Sequence, residues 1–413
     1  MENGIVLFLG MVRRGEFESL QRRGLPLGVL VDSNSKQRLG DVSGFQVVDR
    51  IDFSRPIDEL IAAVSAIQKK QGIRCLFNVI EFYVAQAAQI ADALGIANLS
   101  PASARLCLDK NLMRSRFQER IGSKAIARNR SVQSESDLLQ FVEETGYPVF
   151  LQPANVSASM WATRNPDRET LLENYRAICT EVPLYYERLG KRGMALAVSV
   201  AEYLNGANTS VDCLMDRDGE VFTTPPVDVL TGQDIGIDDY HHFARVLPSR
   251  LSRSDQDELE QLSIAGCRAL DMTSCAAHVE FIGNRLGEIA ARPGGNRPRI
   301  LDLAYGIDEL HGYYQVLTGQ APSIAASRRN SAAIVTPFPR RNGTLRSIKY
   351  LDLIPKLPGY LYHEIRTQTG SQVGMSKAGY RAPLYIELHS ENETDIRKSL
   401  DQIIAWSDIY IVE

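Results

Sequence analysis

Residues 5–9 form an unbroken apolar run that stops at Gly10, and a polar, helix-like stretch follows to Arg23. The apolar run recurs at 27–31, more weakly at 46–48, and again at 73–79. Before the last run, residues 57–71 carry apolar side chains at helical spacing. After it, 84–94 read as an alanine-rich helix closed by Gly95. Short strands apolar on both faces and separated by helices predict an α/β, Rossmann-like unit with a parallel, doubly wound sheet. No G-x-G-x-x-G follows the first strand, so the pattern gives this unit no dinucleotide site.

The middle of the chain changes rhythm. A polar helix over 109–122 stops at Gly122. A strand at 127–128, a helix at 134–144 and a strand at 147–152 make a βαβ-like piece that runs into the small-residue loop 155–159. Strands at 194–203 and 210–214, a turn at 216–219 and a helix at 254–269 come next. Residues 277–299, AHVEFIGNRLGEIAARPGGNRPR, then alternate on either side of a short turn as a β-hairpin does. One helix is expected over 299–319 and a Ser/Arg/Pro-rich linker over 321–330. A tail of short strands ends in a helix (392–405) and a strand (408–412). With 413 residues the chain is long enough for two or three units, which these breaks place at 1–105, 106–325 and 326–413. The whole reads as α/β with an α+β end.

Composition narrows the function classes. A 44% hydrophobic, 23% charged chain with net charge -4 is ordinary for a globular protein and carries no electrostatic footprint for nucleic acid. Arg328, Arg329, Arg340 and Arg341 read as a solvated face. Six scattered cysteines without C-x-x-C point to a reducing compartment, and the apolar run near the N-terminus is too short to span a bilayer. A cytoplasmic protein without nucleic-acid or membrane partners is expected.

The hairpin carries the chemistry. Glu280 and Glu288 would lie on neighbouring strands facing one side, and two such carboxylates need a cation between them. A hard divalent ion such as Mg2+, with Mn2+ as an alternative, uses one or two carboxylates plus phosphate oxygens. Arg292 suits an anionic oxygen nearby, and Gly294 and Gly295 let a substrate approach backbone without a Cβ. Lys110, at a helix start, can reach phosphates, and amides of the 155–159 loop can cover them. Glu81 follows a parallel strand, at the edge where such sheets bind ligands, and can meet a substrate ammonium or stay solvated. Asp239 and His242, in DIGIDDYHHFAR, either line a pocket or sit on a surface loop. Arg297 and Arg299 are candidates for a substrate carboxylate.

The order D-K-x-L-M-R (from Asp109), strand-Q-P-A-N-x-S-A-S (from Gln152), A-E-Y-L-N-G (from Ala201) and H-V-E-F…G-E-I-A-A-R-P-G-G (from His278) resembles the ATP-grasp superfamily. Within it, the order is most similar to the carboxylate–amine ligases, which include the L-amino-acid ligases. The resemblance runs over about residues 1–325 and is most specific at 280–295. It implies an ATP-grasp architecture of Rossmann-like, two-lobed nucleotide-binding and small C-terminal parts. It also implies phosphate contacts from Lys110, a lid containing Ser157 and Ser159, and adenine pairing along Glu202, Tyr203 and Leu204. Asn208 stands where many members place a ribose-binding glutamate. Glu280 and Glu288 become the metal ligands, and Arg292 the stabiliser of the acyl phosphate or tetrahedral intermediate.

Two departures stand out. Gln152 replaces a phosphate-binding lysine, and losing that charge-assisted contact costs about 1.5–3 kcal/mol, up to roughly a hundredfold in binding or rate. Ala290 occupies the place of a frequent third, asparagine metal ligand. The implied activity uses ATP and Mg2+ to join a carboxylate to an amine through an acyl phosphate. It gives a dipeptide or amino-acid conjugate, with amino acids as substrates and a homodimer as the common state. A regulatory nucleotide-binding protein with weak turnover is the alternative, and a biotin-carboxylase-like subunit a second one.

Overall fold

The computed structural model describes residues 4–12, 15–35, 41–156, 159–188 and 195–413. The four apolar runs at the N-terminus pair in the order Val47–Ile51, Leu27–Asp32, Ile5–Gly10, Ile73–Phe77, all parallel. The central strand Ile5–Gly10 is apolar throughout because both faces are covered. Ile5, Leu7 and Leu9 pack against helices Ile57–Gln71 and Val84–Leu94, while Val6 and Phe8 pack towards Leu310 and Tyr313. Gly10 (φ +81°) is a packing glycine: a Cβ there would lie 2.2 Å from the Tyr83 ring, whose hydroxyl donates to Asp32.

The next sheet has nine strands. Its main path runs Arg285–Ala290, Cys275–Ile282, Asn208–Met215, Val227–Thr231, His242–Leu247, Ser331–Val335, Leu384–Ser390, Tyr360–Ile365, and Val221–Thr223 pairs with Asn208–Met215 off that path. The break expected near residue 325 therefore falls inside one continuous sheet: His242–Leu247 bonds directly to Ser331–Val335. Helix Glu393–Ala405 covers the C-terminal strands, burying Ile396, Leu400 and Ile403.

A separate four-stranded sheet, Asn129–Val132, Val198–Glu202, Val149–Pro153, Thr163–Asn165, is antiparallel at every step. The expected βαβ piece is thus split. Strand Val198–Glu202 returns from farther along the chain and fills the gap between the two parallel strands, and the first of these starts at Asn129 rather than 127. Helices Glu135–Thr145 and Arg168–Arg188 bury Val149, Leu151, Val198 and Val200 on one face. Strand alternation sends Phe150, Gln152 and Ser199 to the other face, where the Phe150 ring meets Tyr240 at 5.2 Å. A cleft lies between this small sheet and the nine-stranded one.

The single helix expected over 299–319 is two, Arg297–Tyr305 and Glu309–Leu317. Gly306 takes the left-handed conformation that ends the first, and the Asp308 side chain accepts from the His311 amide to start the second. The 321–330 segment is pinned to this corner: Ser327 and Asn330 amides donate to the Tyr305 and Ala304 carbonyls. Among the described residues no helix is long and apolar enough to cross a membrane.

Candidate nucleotide and metal site

Strands Cys275–Ile282 and Arg285–Ala290 form the expected hairpin, with Glu280 directly opposite Glu288. Val279, Phe281, Leu286 and Ile289 go to the core, so the carboxylates face the cleft. The same row continues one strand over, where Ser210 lies opposite Glu280 and Asp212 opposite His278.

Lys110 opens helix Lys110–Arg120, whose Asp109 cap accepts from the Asn111 and Leu112 amides. The cap aims the lysine at the hairpin. Nζ lies 3.1 Å from Glu288 Oε1 and donates to the Val156 carbonyl at 3.1 Å. Lys110 is almost fully buried, at 7% exposure, and joins Glu288 to the Val156 backbone.

Arg292 follows the hairpin and pairs through Nε with Glu81 Oε2 at 3.0 Å. Glu81 sits after the last parallel strand, as expected, but its carboxylate is committed to Arg292 rather than left for a substrate ammonium. Burial tends to lower Arg292, yet Glu81, Glu280 and Asp212 outweigh it and hold the guanidinium firmly charged. Burial, with Glu288 and Glu280 nearby, pushes Glu81 up against the pull of Arg292.

His278, unassigned in the sequence, has a carboxylate on each ring nitrogen: Nδ1 is 2.6 Å from Asp212 Oδ1 and Nε2 is 3.1 Å from Glu280 Oε1. Burial opposes its charge, but Asp212 wins and the ring titrates above the usual histidine range. Each ring nitrogen thus faces a carboxylate oxygen. Against the cost of burial, His278, with Arg297 behind it, keeps Glu280 well below the usual carboxylate range. Asp212 Oδ2 also accepts the Gly294 amide at 2.6 Å. A Cβ on Gly294 would meet Arg297 Cγ at 2.3 Å and His278 Nδ1 at 2.4 Å, whereas one on Gly295 would meet nothing within 4 Å. The glycine pair thus combines one tight contact with one open approach. Glu309 is fully buried against Asp212, and burial with the Asp212 charge drives it well above the carboxylate range.

The donor set suits a hard cation that arrives with phosphate. Glu280 and Glu288 supply two carboxylates, and Ala290, opposite His278, supplies nothing. Among the described residues no three His, Cys, Asp or Glu side chains converge as a metal cage. The remaining ligands would be phosphate oxygens and water.

The small-sheet wall carries its charge on a neighbouring helix. Gln152 pairs across the strands with Ser199, and Ser199 Oγ accepts from Arg114 Nη1 at 2.8 Å. Arg114 is one helical turn beyond Lys110, buried, and feels the Glu288 charge. A guanidinium therefore stands over the position opposite Gln152. The Lys110–Arg114 spacing of i, i+4 was the available signal.

Other expected residues are more constrained. Glu202 Oε1 accepts from the Arg128 amide, and the Tyr203 amide donates to Pro148. Both hold the strand end in place. The Tyr203 ring lies under Arg164 at 5.2 Å. Leu204 and Asn208 are half-buried on either side of Gly206, where a Cβ would come within 2.8 Å of the Gly283 amide. Ser157 lies outside the described residues, and Ser159 is exposed with φ +53°. Asp239, a candidate for either a pocket or a surface loop, accepts the backbone amides of His241 and Lys377 and ties its loop down. His242 does reach the site, 3.9 Å from Glu280, and burial holds it neutral. Arg299 grips Glu387 with two nitrogens and is not free for a substrate.

Paired carboxylates on a hairpin, a capped helix lysine against them and a small antiparallel sheet beside both give the chain an ATP-grasp-like fold. Residues 145–295 match the ATP-grasp domain family. Alanine–anticapsin ligase of Bacillus subtilis (strain 168) is 25% identical over 279 residues, covering 62% of this chain and 56% of its own length. The chain thus spans little more than half of that relative. The crystal structure of L-amino acid ligase from Bacillus licheniformis superposes with TM-score 0.83 at 15% identity, over 100% of this chain and 99% of the other. N5-carboxyaminoimidazole ribonucleotide synthetase from Thermotoga maritima superposes at 0.70 with 13% identity, over 99% of each chain.

Proposed function

We propose that the chain is an ATP-dependent carboxylate–amine ligase acting on amino acids. The observation that carries this reading is the convergence of Glu280, Glu288, Lys110 and Arg292 at one cleft. A substrate carboxylate oxygen attacks the γ-phosphorus and ADP leaves. The amine then attacks the acyl carbon of the acyl phosphate, phosphate departs, and the amine loses a proton. Lys110 and Arg114 hold phosphate oxygens, and Arg292 faces the oxygen that gains charge on the acyl carbon. Glu280 and Glu288 would hold Mg2+, which would neutralise phosphate charge and fix the nucleotide. The His278–Asp212 pair orients Glu280, as outer-shell partners of metal ligands do. The similarity to an alanine–anticapsin ligase supports amino acids as the substrate class.

The test is release of ADP and phosphate from MgATP across a panel of amino acids and amines, with mass spectrometry of the products. An ATP-dependent mass gain equal to the two substrates less water is expected. Absence of turnover with every pair, unchanged in Gln152→Lys, would overturn the ligase reading in favour of a regulatory nucleotide binder.

A further inference from the structure

One buried acid takes no part in the steps above. Glu309 opens helix Glu309–Leu317 and is 0% exposed. The helix lies on the face of the sheet that bears the site. Its Leu310 and Tyr313 pack with Leu214 and Ala276. Gly312 lets it come close, since a Cβ there would stand 2.7 Å from Leu214 Cδ1. Strand alternation puts Asp212 on the same face as Leu214, and His278 and Glu280 on the same face as Ala276. The first turn of the helix therefore brings the Glu309 carboxyl against Asp212.

The Asp212 carboxylate is the hydrogen-bond partner of Glu309. Among the described residues no N–H or O–H of another side chain or peptide reaches either Glu309 oxygen. A hydrogen bond between two carboxyl groups needs a proton, so one of the two is a neutral acid. Burial, then the Asp212 charge, makes Glu309 that acid, while His278 holds Asp212 ionised against the cost of burial. Arg297 and Arg292 act on Glu309 in the opposite sense and are outweighed. Arg297, a candidate for a substrate carboxylate from the sequence, donates from Nε to Ser210 Oγ at 2.7 Å and from Nη1 to the Gly295 carbonyl at 3.2 Å.

Asp212 thus collects three partners. Its Oδ1 lies 2.6 Å from His278 Nδ1, its Oδ2 accepts the Gly294 amide at 2.6 Å, and the Glu309 acid is the third. The first contact leads through His278 Nε2 to Glu280, and the second to the open backbone at Gly295. Resting on the reading of Glu280 as a metal ligand, we propose that Glu309 is a positioning residue: it locks the Asp212 carboxylate, which sets His278 and Glu280 for Mg2+ and the Gly294–Gly295 turn for substrate. An ionised Glu309 would set two like charges face to face and drive Asp212 from its other partners. An apolar side chain would leave Asp212 one donor short.

The test compares Glu309→Gln, which keeps a donor of the same shape, with Glu309→Met, which keeps the bulk without one. The Mg2+ concentration giving half-maximal ATP turnover should rise roughly 10–100-fold in Glu309→Met, the scale of an outer-shell loss. In Glu309→Gln it should stay near the wild-type value. Any other order, equal losses included, overturns the role. A second reading needs neither turnover nor the Met variant. The infrared difference between wild type and Glu309→Gln at neutral pH should contain the C=O stretch of a protonated carboxyl, shifted in D2O. Its absence would mean an ionised Glu309 and overturns the proposal. If the wild type turns over no substrate pair, the ligase reading fails. The infrared band still decides the state of Glu309, and the Tm gain from Mg2+ with a non-hydrolysable ATP analogue, expected to be kept in Glu309→Gln and reduced in Glu309→Met, decides its role.

Discussion

On the hairpin wall of the cleft each buried charge touches a counter-charge: Lys110 on Glu288, Glu81 on Arg292, and His278 between Asp212 and Glu280. Nearby, Nε of Arg245 and Nη2 of Arg297 have no direct hydrogen-bond partner. The small-sheet wall differs again, since its strand presents neutral Gln152 and borrows charge from Arg114 on the adjoining helix. The contrast separates two kinds of preorganisation. A closed set of ion pairs fixes geometry before any ligand enters, whereas a neutral strand depends on charge held by a neighbouring element.

Several changes would break or sharpen that contrast. Arg292→Ala, the largest, should lower kcat by about 10²–10³-fold, as loss of an oxyanion donor does; steady-state ADP release checks it, and an unchanged kcat removes Arg292 from the chemistry. Next, Arg114→Met should raise the KM for ATP by roughly 10–100-fold. Gln152→Lys should restore most of that loss in the double variant yet add under about threefold alone. A large gain from Gln152→Lys alone would mean that Arg114 does not supply the charge. His278→Asn should weaken Mg2+ activation by about 10–100-fold, the usual scale for an outer-shell partner, read from metal titrations of rate.

The smallest effect is on stability. Glu309 is raised in the folded chain, so above its unfolded value near 4.5 the unfolded state has lost a proton that the folded state keeps. Stability must then fall as pH rises, by at most about 1.4 kcal/mol per pH unit from this group. Glu309→Gln should flatten that slope, so its Tm should overtake the wild type between pH 5 and 8. Parallel Tm curves would show Glu309 to be ionised.

Much of this was legible in the residues. Period-two alternation around 284–287 placed Glu280 and Glu288 side by side, and Asp109 before Lys110 announced the capped helix. The Gly306-Ile307-Asp308 break was present but masked by apolar residues continuing on both sides at helical spacing. Pairings between distant segments were not legible. Nothing near Glu81 announces Arg292, and nothing near His278 announces Asp212, because each pair meets only through sheet register or across units. The partner of Asp239 was hidden for the same reason: the Lys377 amide lies far along the chain.

The continuity of the nine-stranded sheet past residue 325 has a consequence for the chain's economy of surfaces. Strand His242–Leu247, which bears Arg245, has Ser331–Val335 on its outer side. A chain stopped before that strand would leave a row of bare peptide groups as a template for other chains. The C-terminal residues from 326 onward thus act as the edge guard of the nine-stranded sheet, and a truncation there should aggregate before it loses any side chain of the cleft.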